Sequence, residues 1–184
     1  MKKIGIVTDS HSSISQEEAK KLGIFVLPMP FYIDGECYYE SVTLSRELFF
    51  EKLTSGADIS TSQPSPTAVM EIWDKALEEY EKILYMPISS GLSSSYNTAM
   101  MLAQEEKYEG RVLVVDDGQV AAPLHQMILD TLDMIEKGYE AEQIRELLEK
   151  AGDRMMIYIA LQTLEFLKKG GRVTPAAAAL GSVF

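Results

Sequence analysis

The sequence predicts an α/β fold, with a parallel sheet covered on both faces by helices in three α/β/α layers. Three observations predict it. Residues 3–8, 83–87 and 111–115 are short runs, apolar nearly throughout, and read as strands buried on both faces. Segments with helical spacing separate these runs, the pattern of a parallel sheet. Polar, turn-forming residues follow them: Thr8-Asp9-Ser10, the loop at Ser89, and Asp116-Asp117. On such sheets ligands bind beyond the carboxyl ends of the strands.

Each element has a local reason. Residues 3–8 form the first strand. Ser15 followed by Glu18 is a capping-box pattern, opening a helix that ends near Leu22-Gly23. Residues 24–29 form the second strand. Phe31-Tyr32-Ile33 and Glu36-Cys37-Tyr38-Tyr39 flank Asp34-Gly35, the strongest hairpin signal in the chain. Residues 44–53 form a helix with Phe49, Phe50 and Leu53 as apolar contacts. Ser65 caps and Pro66 opens the next helix, whose face carries Val69, Met70, Trp73, Ala76, Leu77 and Tyr80. Residues 83–87 are a strand, followed by a helix through Tyr96, Ala99, Met100 and Ala103. Residues 111–115 are a strand, and helices follow over about 121–137 and 141–150.

Residues 154–160 read as a further strand and 163–169 as a short helix stopped by Gly170-Gly171. Thr174 and Pro175 suit the start of a helix over 174–184. The expected division is therefore residues 1–152 as the α/β/α domain and 153–184 as the start of a second, α+β domain. A strand at 154–160 has few partners, which exposes edges and apolar surface; self-association is the expected response.

Composition excludes several function classes. Of 184 residues, 46% are hydrophobic, enough for a sizeable core. Asp and Glu number 28 against 17 Lys and Arg, a net charge of −11. No basic excess is available for nucleic acid or for general adhesion to anionic membranes. Lys168-Lys169 with Arg172 still suffices for one anion. Cys37 is the only cysteine, so no internal disulfide forms and a reducing cytosol fits. The N-terminus reads as a strand rather than a signal peptide, and no apolar run approaches a membrane span. The expectation is a soluble, cytoplasmic protein.

The candidate chemistry lies in two hydroxyl-rich loops, each leading into a helix. They are Thr61-Ser62-Gln63-Pro64-Ser65-Pro66 and Ile88-Ser89-Ser90-Gly91-Leu92-Ser93-Ser94-Ser95. Helix starts carry free N–H groups and partial positive charge, and with hydroxyls they suit phosphate or carboxylate. Simple capping explains one or two hydroxyls per loop, and both readings stand at this point. Asp9 suits a metal ligand or nucleophile, or a tie between loop ends; the tie is favoured because no second acidic cluster is fixed nearby. Asp116 and Asp117 carry the same ambiguity. A triad drawn from Ser90 or Ser93 with His125 and Asp116 is disfavoured because the G-x-S-x-G elbow is absent. His11 is the other histidine. Cys37 sits in the hairpin with no His beside it, against a nucleophilic role. No metal spacing, P-loop or dinucleotide glycine motif occurs. Ten Met and nine Tyr suit either a core or an adaptable apolar cavity for a chain-like ligand.

These residues also carry a family resemblance. Thr8-Asp9-Ser10 resembles the opening of the DegV family of bacterial fatty-acid-binding proteins. Thr61-Ser62-Gln63-Pro64-Ser65-Pro66 resembles its signature loop, Ile88-Ser89-Ser90-Gly91-Leu92-Ser93 its second motif, and Leu164-Glu165-Phe166-Leu167-Lys168-Lys169-Gly170-Gly171-Arg172-Val173 its third. The resemblance implies a protein that encloses one long-chain fatty acid and presents the carboxylate to a separate fatty acid kinase. The acyl phosphate then serves phospholipid synthesis. It implies no catalytic residues, no metal and no cofactor other than the fatty acid as ligand, and leaves room for transient membrane contact. The head-group contacts it implies fall on Thr61 and Ser62, on Ser93 and Ser94, and on Arg172. Hydroxyls and N–H groups suit a carboxylate, and an arginine neutralises it. The chain departs from the family pattern at Ser94-Ser95, where a Gly-Thr is usual. It departs again at Asp116-Asp117, where Asp-Ser is usual, and in Ala121-Ala122-Pro123-Leu124-His125, where small and glycine residues are usual. Family members continue with most of a second domain. The alternatives are an enzyme acting on a small phosphorylated or carboxylated substrate, and a ligand-free interaction module.

Overall fold

A strand covered on both faces must be apolar on both, and Ile4, Ile6 and Val7 meet that requirement without alternation. In the computed structural model, which describes residues 2–40, 42–161 and 163–174, they lie at the centre of the main sheet. In chain order the elements are β1 (Lys2–Asp9), α1 (Gln16–Leu22), β2 (Phe25–Leu27), β3 (Pro30–Ile33), β4 (Glu36–Tyr39), α2 (Arg46–Thr54) and β5 (Ile59–Thr61). They continue with α3 (Pro66–Glu79), β6 (Tyr80–Met86), α4 (Ser95–Leu102), β7 (Val112–Val114), α5 (Ala121–Glu136), α6 (Ala141–Gly152) and α7 (Glu165–Lys169). A 3-10 turn, Ser10–Ser12, follows β1.

The main sheet runs β2-β1-β6-β7, all parallel, with Val7 opposite Phe25, Ile6 opposite Leu84 and Leu84 opposite Leu113. Side chains alternate between faces. Ile4, Ile6, Leu84, Met86 and Leu113 pack with Ala19 of α1, Leu124 and Ile128 of α5, and Ile144 and Leu148 of α6. Val7, Ile83, Tyr85, Val112 and Val114 pack with Val69, Trp73, Ala76 and Leu77 of α3 and Ala99 of α4. The expected three-layer α/β/α arrangement is therefore present. Gly5 is required by the second face: a Cβ there would lie 2.6 Å from the Tyr80 ring. That ring is buried, and its hydroxyl donates to the Gly23 carbonyl at 3.0 Å.

Crossover handedness explains the layers. From β1 the chain moves to β2 with α1 on one face; it then reverses past β1 to β6 with α3 on the other. Right-handed connections require this change of face when the direction reverses. The reversal leaves a crevice beyond the carboxyl ends of β1 and β6.

The Asp34-Gly35 hairpin forms as expected, with φ of 51° and 85° at the two turn residues. Its third strand, β5, is a difference from the sequence reading, which places Thr61 in a loop. Asp34 fixes it: its N–H donates to the Asp58 carbonyl and its Oδ1 accepts the Asp58 N–H, both at 2.9 Å. Thr61 then pairs opposite Phe31 in an antiparallel sheet of order β4-β3-β5. A second correction concerns residues 154–160, which form no strand. No described strand pairs with them, and an extended segment without a ladder has no ladder hydrogen bonds to hold it. Met156, Tyr158 and Ile159 are exposed there. The helix expected over 174–184 falls outside the described residues apart from Thr174.

Candidate functional site

The crevice between β1 and β6 is closed by Asp9. Its carboxylate is fully buried. Oδ1 accepts the His11 N–H at 2.9 Å and lies 3.2 Å from His11 Nδ1; Oδ2 accepts the Ile88 N–H at 2.9 Å. The loop after β1 is thereby tied to the loop after β6, the role favoured for Asp9 from sequence. Thr8 Oγ1 adds a bond to the Met86 carbonyl at 2.7 Å.

The second hydroxyl loop rests on the loop after β7. Ser89 N–H donates to the Gln119 carbonyl at 3.0 Å, and Ser90 N–H to Asp116 Oδ1 at 3.3 Å. Ser93 Oγ accepts the Ser95 N–H at 3.2 Å and lies 2.8 Å from Ser95 Oγ, at the first residue of α4. Ser94 is exposed and its hydroxyl makes no capping bond. Arg172 reaches this loop: Nε donates to the Leu92 carbonyl at 3.4 Å, and Nη1 to the Gly170 carbonyl at 2.6 Å. An ion pair of Lys169 with Asp58 joins α7 to the segment before β5.

The first loop divides its hydroxyls between two jobs. Ser65 is a cap, accepting the Ala68 N–H at 3.2 Å. Thr61 and Ser62 are exposed and line a cavity of about 580 Å³ with His11. Met29, Phe31, Leu44, Phe49, Phe50 and Ile59 form its apolar wall, and Ser13, Glu40, Ser45 and Arg46 add polar and charged side chains. Phe49 stands edge-on to Phe31 at 5.5 Å, and Phe50 edge-on to Phe49 at 5.5 Å. These are the apolar contacts expected of α2, made to the small sheet. A groove of about 730 Å³ also includes Ser62 but neither Thr61 nor His11.

The structure thus brings Arg172 onto the second loop, and sets Thr61 and Ser62 beside His11. The two loops meet through Thr98 Oγ1, which donates to Gln63 Oε1 at 3.1 Å. No hydrogen bond joins Thr61 or Ser62 to Ser93 or Arg172 among the described residues. Sequence reasoning assigned no site role to His11 or Arg46. Arg46 lines the same cavity, with its guanidinium 5.7 Å from the Phe50 ring centre.

Two titrations mark the region. Burial pushes the His11 imidazole toward neutrality, but the hydrogen bond to Asp9 and the charges of Asp9 and Glu40 outweigh it, with Arg172 opposing them. Its pKa ends above the ordinary 6.5. Burial pushes the Asp117 carboxyl up to about 6, against the Gln119 N–H bond and with help from Asp116 and Asp9. The disfavoured serine triad is not formed. His125 Nε2 lies 3.3 Å from Glu18, while Asp116 accepts the N–H groups of Ser90 and Gly118. Cys37 is exposed on β4. Among the described residues no group of three or more His, Cys, Asp or Glu is placed to hold a metal, and no helix is long and apolar enough to cross a membrane.

Comparison with known proteins follows the same lines. The profile of the DegV family, described as an uncharacterised protein of that family, matches residues 3–184. A DegV domain-containing protein of Deinococcus radiodurans is 34% identical over 181 residues, covering 98% of this chain and 64% of that one. A fatty-acid-binding DegV family protein from Thermus thermophilus superposes with a TM-score of 0.86 at 34% identity, over 97% of this chain and 64% of that one. A stearic-acid-binding protein from Eubacterium ventriosum gives a TM-score of 0.80 at 26% identity, over 98% and 63%. The chain therefore spans a little under two thirds of these relatives. The family profile matches over nearly every residue and the fold agrees, and the chain belongs to the DegV family.

Proposed function

We propose that this chain binds a long-chain fatty acid, with the acyl chain in the cavity walled by Phe31, Phe49 and Phe50. The carboxylate then lies among Thr61, Ser62, Ser93, Ser94 and Arg172. The observation that carries this reading is a cavity of about 580 Å³ with one wall of Phe31, Phe49, Phe50 and Ile59 and a polar lining of His11, Ser13, Glu40, Ser45, Arg46, Thr61 and Ser62. That volume falls in the range of about 300–1,000 Å³ typical of small-molecule sites. Each buried methylene contributes about 0.8 kcal/mol, and a hydrogen bond to a charged group about 1.5–3 kcal/mol. A dozen or more methylenes outweigh the head group, so the cavity sets affinity and the polar residues set which end faces out. Fatty acid bound to the Thermus thermophilus and Eubacterium ventriosum relatives supports the same assignment.

The role extends to presenting the bound carboxylate to a fatty acid kinase in the cytoplasm, with phosphoryl transfer catalysed by the kinase and not by this chain. Residues 153–184 begin a second α+β unit in this reading. Native mass spectrometry of the purified protein tests the binding step: an adduct with the mass of a long-chain fatty acid is expected. Protein that stays ligand-free after incubation with oleate sinks the proposal. For presentation, acyl phosphate should form only when kinase, ATP and the loaded protein are combined.

A further inference from the structure

His11 sits where a head-group ligand would be needed, and sequence reasoning gave it no role. It lines the same cavity as Thr61 and Ser62. Its backbone and its ring are both held by Asp9, whose second oxygen is fixed by the Ile88 N–H. A ring nitrogen facing a buried carboxylate keeps its proton, which fixes the tautomer. The other nitrogen, Nε2, makes no hydrogen bond among the described residues, and the side chain is 34% exposed. The charged groups that bear on the ring are Asp9 at the end of its own strand, Glu40 after β4 and Arg172 after α7. Glu40 is itself held by Ser10 Oγ at 2.6 Å. The helix α5 packs against the turn that carries His11, and its His125 is engaged by Glu18 instead.

We propose that His11 is a head-group residue of this chain, donating from Nε2 to the carboxylate of the bound fatty acid. The inference rests on the fatty-acid reading above. The physical logic is an unused ring nitrogen facing the cavity, on a ring whose other nitrogen is held by Asp9. Arg172 and protonated His11 repel one another, which is why Arg172 opposes the protonation of His11. A carboxylate at Nε2 turns that repulsion into attraction and gains a charge-assisted hydrogen bond from the protonated ring. Binding and protonation of His11 are then linked: each favours the other by the same factor. Oleate affinity should fall as pH rises through the His11 titration, while a neutral ligand of equal length should show no such fall.

The test is calorimetric titration of the protein with oleate and with oleyl alcohol at pH 6.0 and pH 8.5, for the unaltered chain and for His11→Gln. Oleate should bind about tenfold more tightly at the lower pH, the scale of one charge-assisted hydrogen bond. His11→Gln should lose that pH dependence for oleate, while oleyl alcohol should show no comparable dependence with either protein. A second readout does not depend on the variant folding. The chain has only two histidines, so imidazole NMR separates them. Added oleate should raise the titration midpoint of His11 and leave that of His125 in place. Oleate binding with the same pH dependence in His11→Gln, or an unmoved His11 midpoint, overturns this proposal alone. Failure of the unaltered chain to bind oleate at any pH overturns the fatty-acid reading and this proposal with it.

Discussion

Replacing Asp117 by Asn should stabilise this protein at neutral pH and leave it unchanged in acid. The Asp117 carboxyl is buried, with Oδ1 accepting the Gln119 N–H at 2.9 Å. Among the described residues its Oδ2 has no hydrogen-bond partner, and neither has the buried Gln119 Oε1. Burial, opposed by that N–H bond and reinforced by Asp116 and Asp9, raises its pKa from 3.8 to about 6. The sign follows from proton counting. Between these values the unfolded chain has released the proton and the folded chain still holds it, so folding loses stability as pH rises. The loss begins near 3.8, is complete once pH has passed about 6, and is constant above that. At about 1.4 kcal/mol per pH unit the interval corresponds to ~3 kcal/mol. Asn keeps the acceptor at the Oδ1 position, replaces the orphaned oxygen by a donor, and carries no charge to desolvate. Urea unfolding at pH 4, 5.5, 7 and 8 reads the difference, followed by fluorescence of the single, fully buried Trp73. The expected result is a gap of up to ~3 kcal/mol in favour of Asp117→Asn at pH 7 and 8 that closes toward pH 4. A variant less stable than the parent at pH 7, or a gap of equal size at pH 4 and 8, would refute the reasoning.

Other positions give sharper local tests. Gly5→Ala places a methyl 2.6 Å from the ring of Tyr80, whose hydroxyl is anchored to Gly23. It should cost roughly 1–3 kcal/mol of stability, and an unchanged urea midpoint would remove the close-approach argument. Arg172→Ala should weaken fatty-acid binding by about 1–3 kcal/mol, the value of a charge-assisted bond. Unchanged affinity in Thr61→Ala combined with Arg172→Ala would end the head-group assignment. The exposed Met156, Tyr158, Ile159 and Leu161 lie close together in sequence, and such apolar clusters associate. Light scattering behind size exclusion should therefore report a mass above 20.5 kDa; a monomer that persists on dilution, without binding an exposed-hydrophobe dye, contradicts this.

What the sequence revealed about the fold was what local chemistry determines. Ser15 and Ser65 cap the helices they were expected to cap, each accepting an N–H three residues on. Asp34-Gly35 adopts the positive φ values that its turn demands. The buried strands announced themselves because both faces of the sheet are covered. β5 did not, since three residues carry no periodicity and its pairing depends on Asp34, 24 positions before Asp58. Residues 154–160 misled for the opposite reason: a largely apolar run with Ile157, Tyr158 and Ile159 reports preference, while a strand needs a neighbour. Both hydroxyl loops stood out, but their joining did not. Arg172 meets Leu92 across 80 positions, and Thr98 meets Gln63 across 35. His11 became a site candidate only when α2 and β5 folded beside it to make the cavity.

The position of that cavity follows from the topology. The connection from β2 to β6 must pass β1, and the chain inserts β3, β4, α2 and β5 before α3 completes the crossover. The insertion therefore hangs at the carboxyl end of the sheet, beside the crevice that the reversal creates. Phe31, Phe49, Phe50 and Ile59 come from the insertion, whereas His11 comes from the turn after β1 of the main sheet. In the proposed reading, the apolar tail meets the small sheet and α2, while the charged end meets loops held by Asp9 and the Gln119 carbonyl. The two parts differ in burial. α2 buries no residue completely, while the Asp9 tie is fully buried. Substitutions at Phe49 or Phe50 should then change which chain length is preferred without disturbing the head-group loops, because a loosely packed wall can re-form around a different tail. Asp9→Ala should do the reverse: it frees the Ile88 N–H and the His11 ring together and leaves a buried donor without its partner.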